Sequence, residues 1–309
     1  MKKILLASLM ALPSSAFADF IGIHGEIGTW HASFKGKTAA EADKQKRDNI
    51  GLDIPSFKER GFEEDNQIVG WVAFEHPLPF IPNIRIAYLG ANSEAISEEP
   101  IVLDIFKVST PINGVPSTIT FQDQSRIITE MNLDSLDGTL YWELLDNWVN
   151  LDIGFTIRKL DGSFDETVID DTFLPLGPIN QLATCDAQNW PRQTVPGNGL
   201  IPIEGCVRPG FALSSSTPID LVIPLLYSKL QLDLPFSGLF AAATLQGMSF
   251  DGSSMVDIDV EVGYMFDLTI MELGASIGYR RATLEANNLE SLYADTTLEG
   301  AHLNIKLHF

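Results

Sequence analysis

The sequence predicts an all-β chain that closes into one transmembrane antiparallel up-and-down β-barrel of about ten strands, with short turns at one end and long loops at the other. Three observations carry that expectation. Separate segments alternate strictly between apolar and polar residues. No run is apolar enough for a membrane helix. The connections follow a short–long rhythm.

Alternation is clearest in the last nine residues. Ala301, Leu303, Ile305, Leu307 and Phe309 are apolar, and His302, Asn304, Lys306 and His308 lie between them. Val256, Ile258, Val260, Val262, Tyr264 and Phe266 interleave with Asp257, Asp259, Glu261, Gly263 and Met265. Val149 to Ile157 interleaves with Asn150 to Arg158 in the same way. Successive side chains of a strand point to opposite faces, so each segment has one oily and one wet face.

In chain order, the first element is a leader. Lys2 and Lys3 precede an apolar run, and Ala16-Phe17-Ala18 supplies a small-x-small cleavage pattern, so residues 1–18 are expected to be a signal peptide and 19–309 the barrel domain. Strands are then expected at about 20–34, 66–76, 83–92, 128–145, 148–160, 220–234, 239–250, 255–266, 268–284 and 295–309. Pro224 makes 221–227 the weakest of these segments, because proline cannot donate to a ladder. Tight turns are expected at 76–82, 146–147, 235–238 and 267. The alternate connections, 35–65, 93–127, 161–219, 251–254 and 285–294, are read as the longer set. Ten strands return the C-terminus to the side of the N-terminus, the periplasmic side of a bacterial barrel.

The leader's apolar run is too short to span a bilayer as a helix, and no later stretch approaches the ~20 apolar residues required, which leaves a closed barrel or no membrane at all. Alternation alone leaves open which face is outside. A soluble sandwich or lipocalin-like barrel alternates too, with its oily face inward. Three features favour the inverted arrangement. Gly154, Gly263, Gly274 and Gly278 sit on the polar face, where a crowded interior suits glycine. Aromatics gather beside the short turns (Phe74, Phe80, Trp142, Trp148, Phe236, Phe240, Tyr264, Phe266, Phe309), and Trp30, Phe34, Tyr88, Phe250 and Tyr279 are read as a second girdle. The alternating last strand ends on Phe309.

The net charge of −21 argues against nucleic acid as a partner and against simple attraction to anionic lipid. The expected surroundings are outer-membrane lipid and lipopolysaccharide. Cys185 and Cys206 are read as a disulfide within the long segment 161–219, where closing a loop of about 20 residues contributes roughly 3 kcal/mol.

Leu303, Ile305, Leu307 and Phe309 resemble the C-terminal signal read by the barrel-assembly machinery, which the resemblance implies as a partner. The stretch Thr139-Leu140-Tyr141-Trp142-Glu143-Leu144-Leu145-Asp146-Asn147-Trp148-Val149-Asn150-Leu151-Asp152-Ile153-Gly154 is similar to a family of Gram-negative outer-membrane β-barrel proteins. So are Ala18-Asp19-Phe20-Ile21-Gly22, Leu234-Pro235-Phe236-Ser237-Gly238 and Gly278-Tyr279-Arg280-Arg281. The resemblance covers most of the chain after the leader and implies a fold and an outer-membrane address. It implies no activity.

The candidate site is the polar face. Asp152, Asp257, Asp259, Glu261 and Glu272, with Arg158, Lys229, Arg280, His302 and Lys306, are expected to line the lumen, pair across it and partly plug it, since a buried unpaired charge is costly. Among the histidines, His31–His302 or His24–His308 approaches are conceivable, but no metal site or cofactor is expected. Gly22, Gly25 and Gly28 mark a bulge or close packing, and the acidic stretch 161–171 reads as a solvated loop rather than a calcium site. The function expected is a non-enzymatic outer-membrane component with loops for structural or binding roles. The alternatives are a narrow channel for small solutes, an outer-membrane hydrolase using His31, and a soluble periplasmic binder.

Overall fold

The computed structural model describes residues 22–50, 53–78, 80–97, 101–112, 115–169 and 212–309. The leader 1–18, Cys185 and Cys206 lie outside the described residues. The elements are β1 (Gly22–Ala40), α1 (Glu41–Ile50), β2 (Asp65–Glu75), β3 (Asn83–Ile96), β4 (Ile101–Ile112), β5 (Val115–Leu145), β6 (Val149–Ile169), β7 (Ala212–Asp233), β8 (Leu239–Phe250), β9 (Ser253–Asp267), β10 (Glu272–Leu289) and β11 (Leu292–His308).

Ten of these strands close an antiparallel barrel. Each pairs with its neighbours in order, except that β3 pairs with β5 and β4 forms a hairpin on the extended first half of β5. β1 and β11 seal the cylinder in one unbroken register from His24↔His308 to Ala40↔Leu292. Ile23 and Phe309 then exchange backbone bonds of 3.1 and 3.0 Å. No sheet edge is left along the lower wall, so the backbone is satisfied without a helix. Among the described residues, no helix is long and apolar enough to cross a membrane.

The barrel is inverted relative to a soluble one. On β9, Val256 and Ile258 are 40 % and 44 % exposed on the outer wall, whereas Asp257 between them is 4 % exposed inside. The same outward set includes Ile27, Ile68, Ile86, Leu140, Phe155, Leu226, Ile277, Leu303 and Ile305. Phe74, Phe80, Trp148, Phe236, Phe266 and Phe309 lie on the outer surface toward the short turns. Trp30, Phe34 and Phe240 do not belong to a girdle: all three are buried inside, because they share parity with the inward residues of their strands.

The ends differ from expectation in detail. Asp251-Gly252 and Glu290-Ser291 are tight turns with positive φ at both positions, the backbone that matches strand twist in a two-residue hairpin. The long connections are therefore confined to β1–β2, β3–β5 and β6–β7. The acidic stretch 161–169 continues strand β6 instead of forming a loop. Pro224 is accommodated in β7 because β8 pairs only from Leu226 onward, leaving an edge on that side above it. The ladders of β1 run without a bulge through Gly22, Gly25 and Gly28, and Gly28 marks close packing, a Cβ there falling 2.4 Å from the Leu303 carbonyl.

Candidate functional site

The β1–β2 connection folds back into the upper barrel. Ser56-Phe57-Lys58-Glu59 forms a capping box: the Ser56 amide donates to Glu59 Oε2 at 2.7 Å and the Glu59 amide to Ser56 Oγ at 3.3 Å. That tight turn drives Phe57 and Phe62 inward. They pack with Phe34, Phe164, Leu160, Met131 and Leu221 in an apolar cluster across the upper lumen. Arg60, 1 % exposed, anchors the turn. It donates to Glu166 at 2.9 Å and to the Pro55 and Thr38 carbonyls, and lies 5.0 Å over the Phe164 ring.

Below this plug lies a layer of buried charge. Arg158 grips Asp137 with two parallel bonds, Nε to Oδ1 at 2.7 Å and Nη2 to Oδ2 at 2.6 Å. Its Nη1 reaches Asp257 Oδ2 at 2.9 Å, and its Nη2 also reaches Gln246 Oε1 at 2.6 Å. Arg280 makes a second fork onto Asp257, at 3.0 and 2.6 Å, and stacks 5.2 Å over Trp30. Gln246 continues to Thr156, which meets Thr139 at 2.7 Å. This layer ties β5, β6, β8, β9 and β10 together through the middle of the lumen. Bidentate Arg–carboxylate geometry is what makes so dry a charge cluster tenable.

His302 sits beside the layer with both ring nitrogens engaged, Nε2 with Asp259 at 2.8 Å and Nδ1 with Asn304 at 2.9 Å. Glycine makes room for it. A Cβ on Gly278 would lie 2.4 Å from His302 Nε2, and one on Gly28 1.9 Å from Asn304 Oδ1.

The lower half is a chamber of about 1340 Å³, lined from the short turns (His76, Asn147, Phe236) up to Arg280 and Trp30. Lys306 spans it, paired with Glu26 and, at 2.7 Å, with Glu261. Nearer the mouth, Glu75 accepts from Tyr141 at 2.6 Å and pairs with His24 at 2.8 Å. His24 stacks on His308 with ring centres 4.0 Å apart, and His308 meets Glu272 at 3.0 Å. Lys229 and Arg85 lie against Trp71.

Of the ten residues proposed from sequence, Arg158, Asp257 and Arg280 meet in the charge layer, and Asp259 with His302 flank it. Asp152, Lys229, Glu261, Glu272 and Lys306 line the chamber. Sequence reasoning missed Asp137, Gln246, Glu26, Glu75, Arg85, Trp71 and the whole plug. The missed lumen residues share strand parity with their inward neighbours, and Ser56-x-x-Glu59 was a visible capping signal. Of the two histidine pairs, His24 and His308 do meet. His31 faces outward at the other rim, bonded to Asn66 and Glu64 at 3.1 Å each. Among the described residues, no group of three or more His, Cys, Asp or Glu is arranged to hold a metal ion.

No family model matches this chain, and no curated protein matches it. Among solved structures it is similar to the outer membrane protease OmpT from Escherichia coli. The TM-score is 0.39 and the identity 12 %, over 93 % of this chain and 95 % of that one. At that level the likeness bears on neither activity nor substrate.

Proposed function

We propose that this chain is an integral outer-membrane barrel of the Gram-negative family its sequence resembles. In this reading it is exported through the leader 1–18, inserted by the assembly machinery through Leu303, Ile305, Leu307 and Phe309, and surrounded by lipid and lipopolysaccharide. It is non-enzymatic, with a sealed lumen and a structural or binding role. One observation carries the reading: an apolar outer wall encloses a lumen crossed by the Arg158–Asp137–Asp257–Arg280 layer and stoppered above by Phe57 and Phe62. An outward belt of this kind in water would be an exposed patch far beyond the few hundred Å² a soluble monomer tolerates.

His302 and His31 face opposite sides of the wall and do not share a site, His302 bonding Asp259 and Asn304 and His31 bonding Glu64 and Asn66. The narrow-channel reading is favoured by the chamber itself, which already occupies the lower lumen. Planar-bilayer recording separates the two. The sealed reading expects no unitary steps with the folded protein, and regular steps select the channel. A heat-modifiability gel tests the outer-membrane assignment: a folded barrel shifts its migration on boiling, whereas a soluble binder does not.

A further inference from the structure

Three cations crowd one aromatic ring inside the chamber. Arg85 Cζ lies 4.9 Å from the centre of Trp71, Lys306 Nζ 5.7 Å and Lys229 Nζ 5.9 Å. Lys306 is neutralised by Glu26 and Glu261. Neither Arg85 nor Lys229 makes an ion pair or hydrogen bond with any described residue, and of the two Lys229 has a carboxylate near it, Asp152 across the β6–β7 ladder. Arg85 also lies 6.0 Å from the Tyr227 ring, and its N–H donors make no hydrogen bond with a described residue. An aromatic face attracts a cation weakly and gives it no hydrogen bonds. The remaining chamber cations, Lys306 and Arg280, each face a carboxylate.

We propose that Arg85 and Lys229 form the anion-binding end of a ligand subsite in this chamber. Its ligand is a small organic anion carrying a carboxylate or phosphate beside a flat apolar group. The guanidinium fork suits either oxyanion, Lys229 adds a second positive charge, and the part of Trp71 that lines the chamber offers the flat group an apolar edge. Asp152 opposes this. It stands opposite Lys229 in the β6–β7 ladder, is 7 % exposed, and makes no ion pair or hydrogen bond with a described residue, so its carboxylate repels the incoming anion. The subsite rests on the sealed-lumen reading only in that the ligand enters at the short-turn mouth.

The test is calorimetric titration of the folded full chain in detergent with benzoate and phenyl phosphate, using benzyl alcohol and benzylamine as controls. At least one of the anions is expected to bind saturably, at least about tenfold more tightly than either control. Arg85→Gln is expected to weaken that binding about tenfold or more, Lys229→Gln to weaken it less, and Asp152→Asn to strengthen it. Failure of both anions to bind, equal binding of the amine or alcohol, or unchanged affinity in Arg85→Gln overturns the proposal. Should Arg85→Gln lose its heat-shifted gel band, Asp152→Asn and the wild-type selectivity decide it. Unitary steps in a bilayer would refute the sealed lumen but not the subsite, and absent binding would do the converse.

Discussion

Arg158 on β6 and Asp257 on β9 belong to strands separated in the wall by β7 and β8, yet their charged ends meet at 2.9 Å inside the barrel. Asp137 and Arg280 complete the set, so each charge has an opposite partner and each strand concerned is pinned to another through the lumen.

Removing one member should cost more than removing another. Arg158→Ala strips Asp137 of its partner and is expected to destabilise the barrel by about 3–5 kcal/mol, the range for breaking a buried pair. Arg280→Ala leaves Asp257 still held by Arg158 and should cost less, about 1–3 kcal/mol. Urea unfolding in detergent micelles, followed by tryptophan fluorescence, measures both. Equal costs would show that the layer does not act as a connected unit.

Two glycines should respond oppositely to alanine. At Gly278 a Cβ would lie 2.4 Å from His302 Nε2 and from the Val260 carbonyl, so Gly278→Ala should cost about 1–3 kcal/mol and pull His302 off Asp259. Gly138 faces open space and has nothing within 4 Å of such a Cβ. Gly138→Ala should be neutral or slightly stabilising, by less than about 1 kcal/mol. The same urea midpoints, with the His302 side-chain resonance as a local probe, check the contrast.

The plug should release without opening the barrel. Phe57→Ala removes a ring packed against Phe34, Phe62 and Phe164 and is expected to cost about 3–5 kcal/mol locally. The expected result is faster protease cleavage between residues 53 and 64, with the heat-shifted band retained. Conductance should stay silent in Phe57→Ala, because the Arg158 layer lies beneath, and appear only when Arg158→Ala is added.

Acid should loosen the same turn. Asp53 is held below the usual carboxylate range, first by its hydrogen bond with Lys37, and Glu59 by the Ser56 amide and hydroxyl. A carboxylate whose folded pKa is depressed stabilises while ionised. The attachment is therefore at full strength above the ordinary value of about 4 and fades as pH falls through the lowered folded values. Both groups are solvent-exposed, so the change should be small. Hydrogen exchange at the Ile54 and Ser56 amides, corrected for intrinsic rates, should rise on acidification and be flat in Asp53→Asn, Glu59→Gln.

The wall was legible because a two-residue period is local. Val256 to Phe266 declares both its faces without reference to any other strand, and each of the ten expected segments falls on a barrel strand. The contents of the lumen were less legible. Asp137 meets Arg158 across adjacent strands, but Asp257 meets it only because the cylinder closes, and no spacing in the chain encodes that distance. Trp30 and Phe34 look like girdle residues by type, but parity decides their place: they share the inward face of β1 with Glu26. The Asp251-Gly252 pair was a two-residue turn signal inside a connection taken as longer. Phe57 and Phe62 lie in a stretch with no period of two, where only the capping box hinted at order.

The direction in which the apolar face of β9 points separates a membrane barrel from a soluble one. A nitroxide placed in turn by Val256→Cys, Ile258→Cys, Val260→Cys and Val262→Cys, in protein folded into liposomes, reports it directly. All four labels should collide freely with oxygen and be shielded from a water-soluble nickel chelate, as lipid-facing positions are. Ready access of the chelate to all four, or exclusion of both reagents as in a packed core, would contradict the membrane barrel.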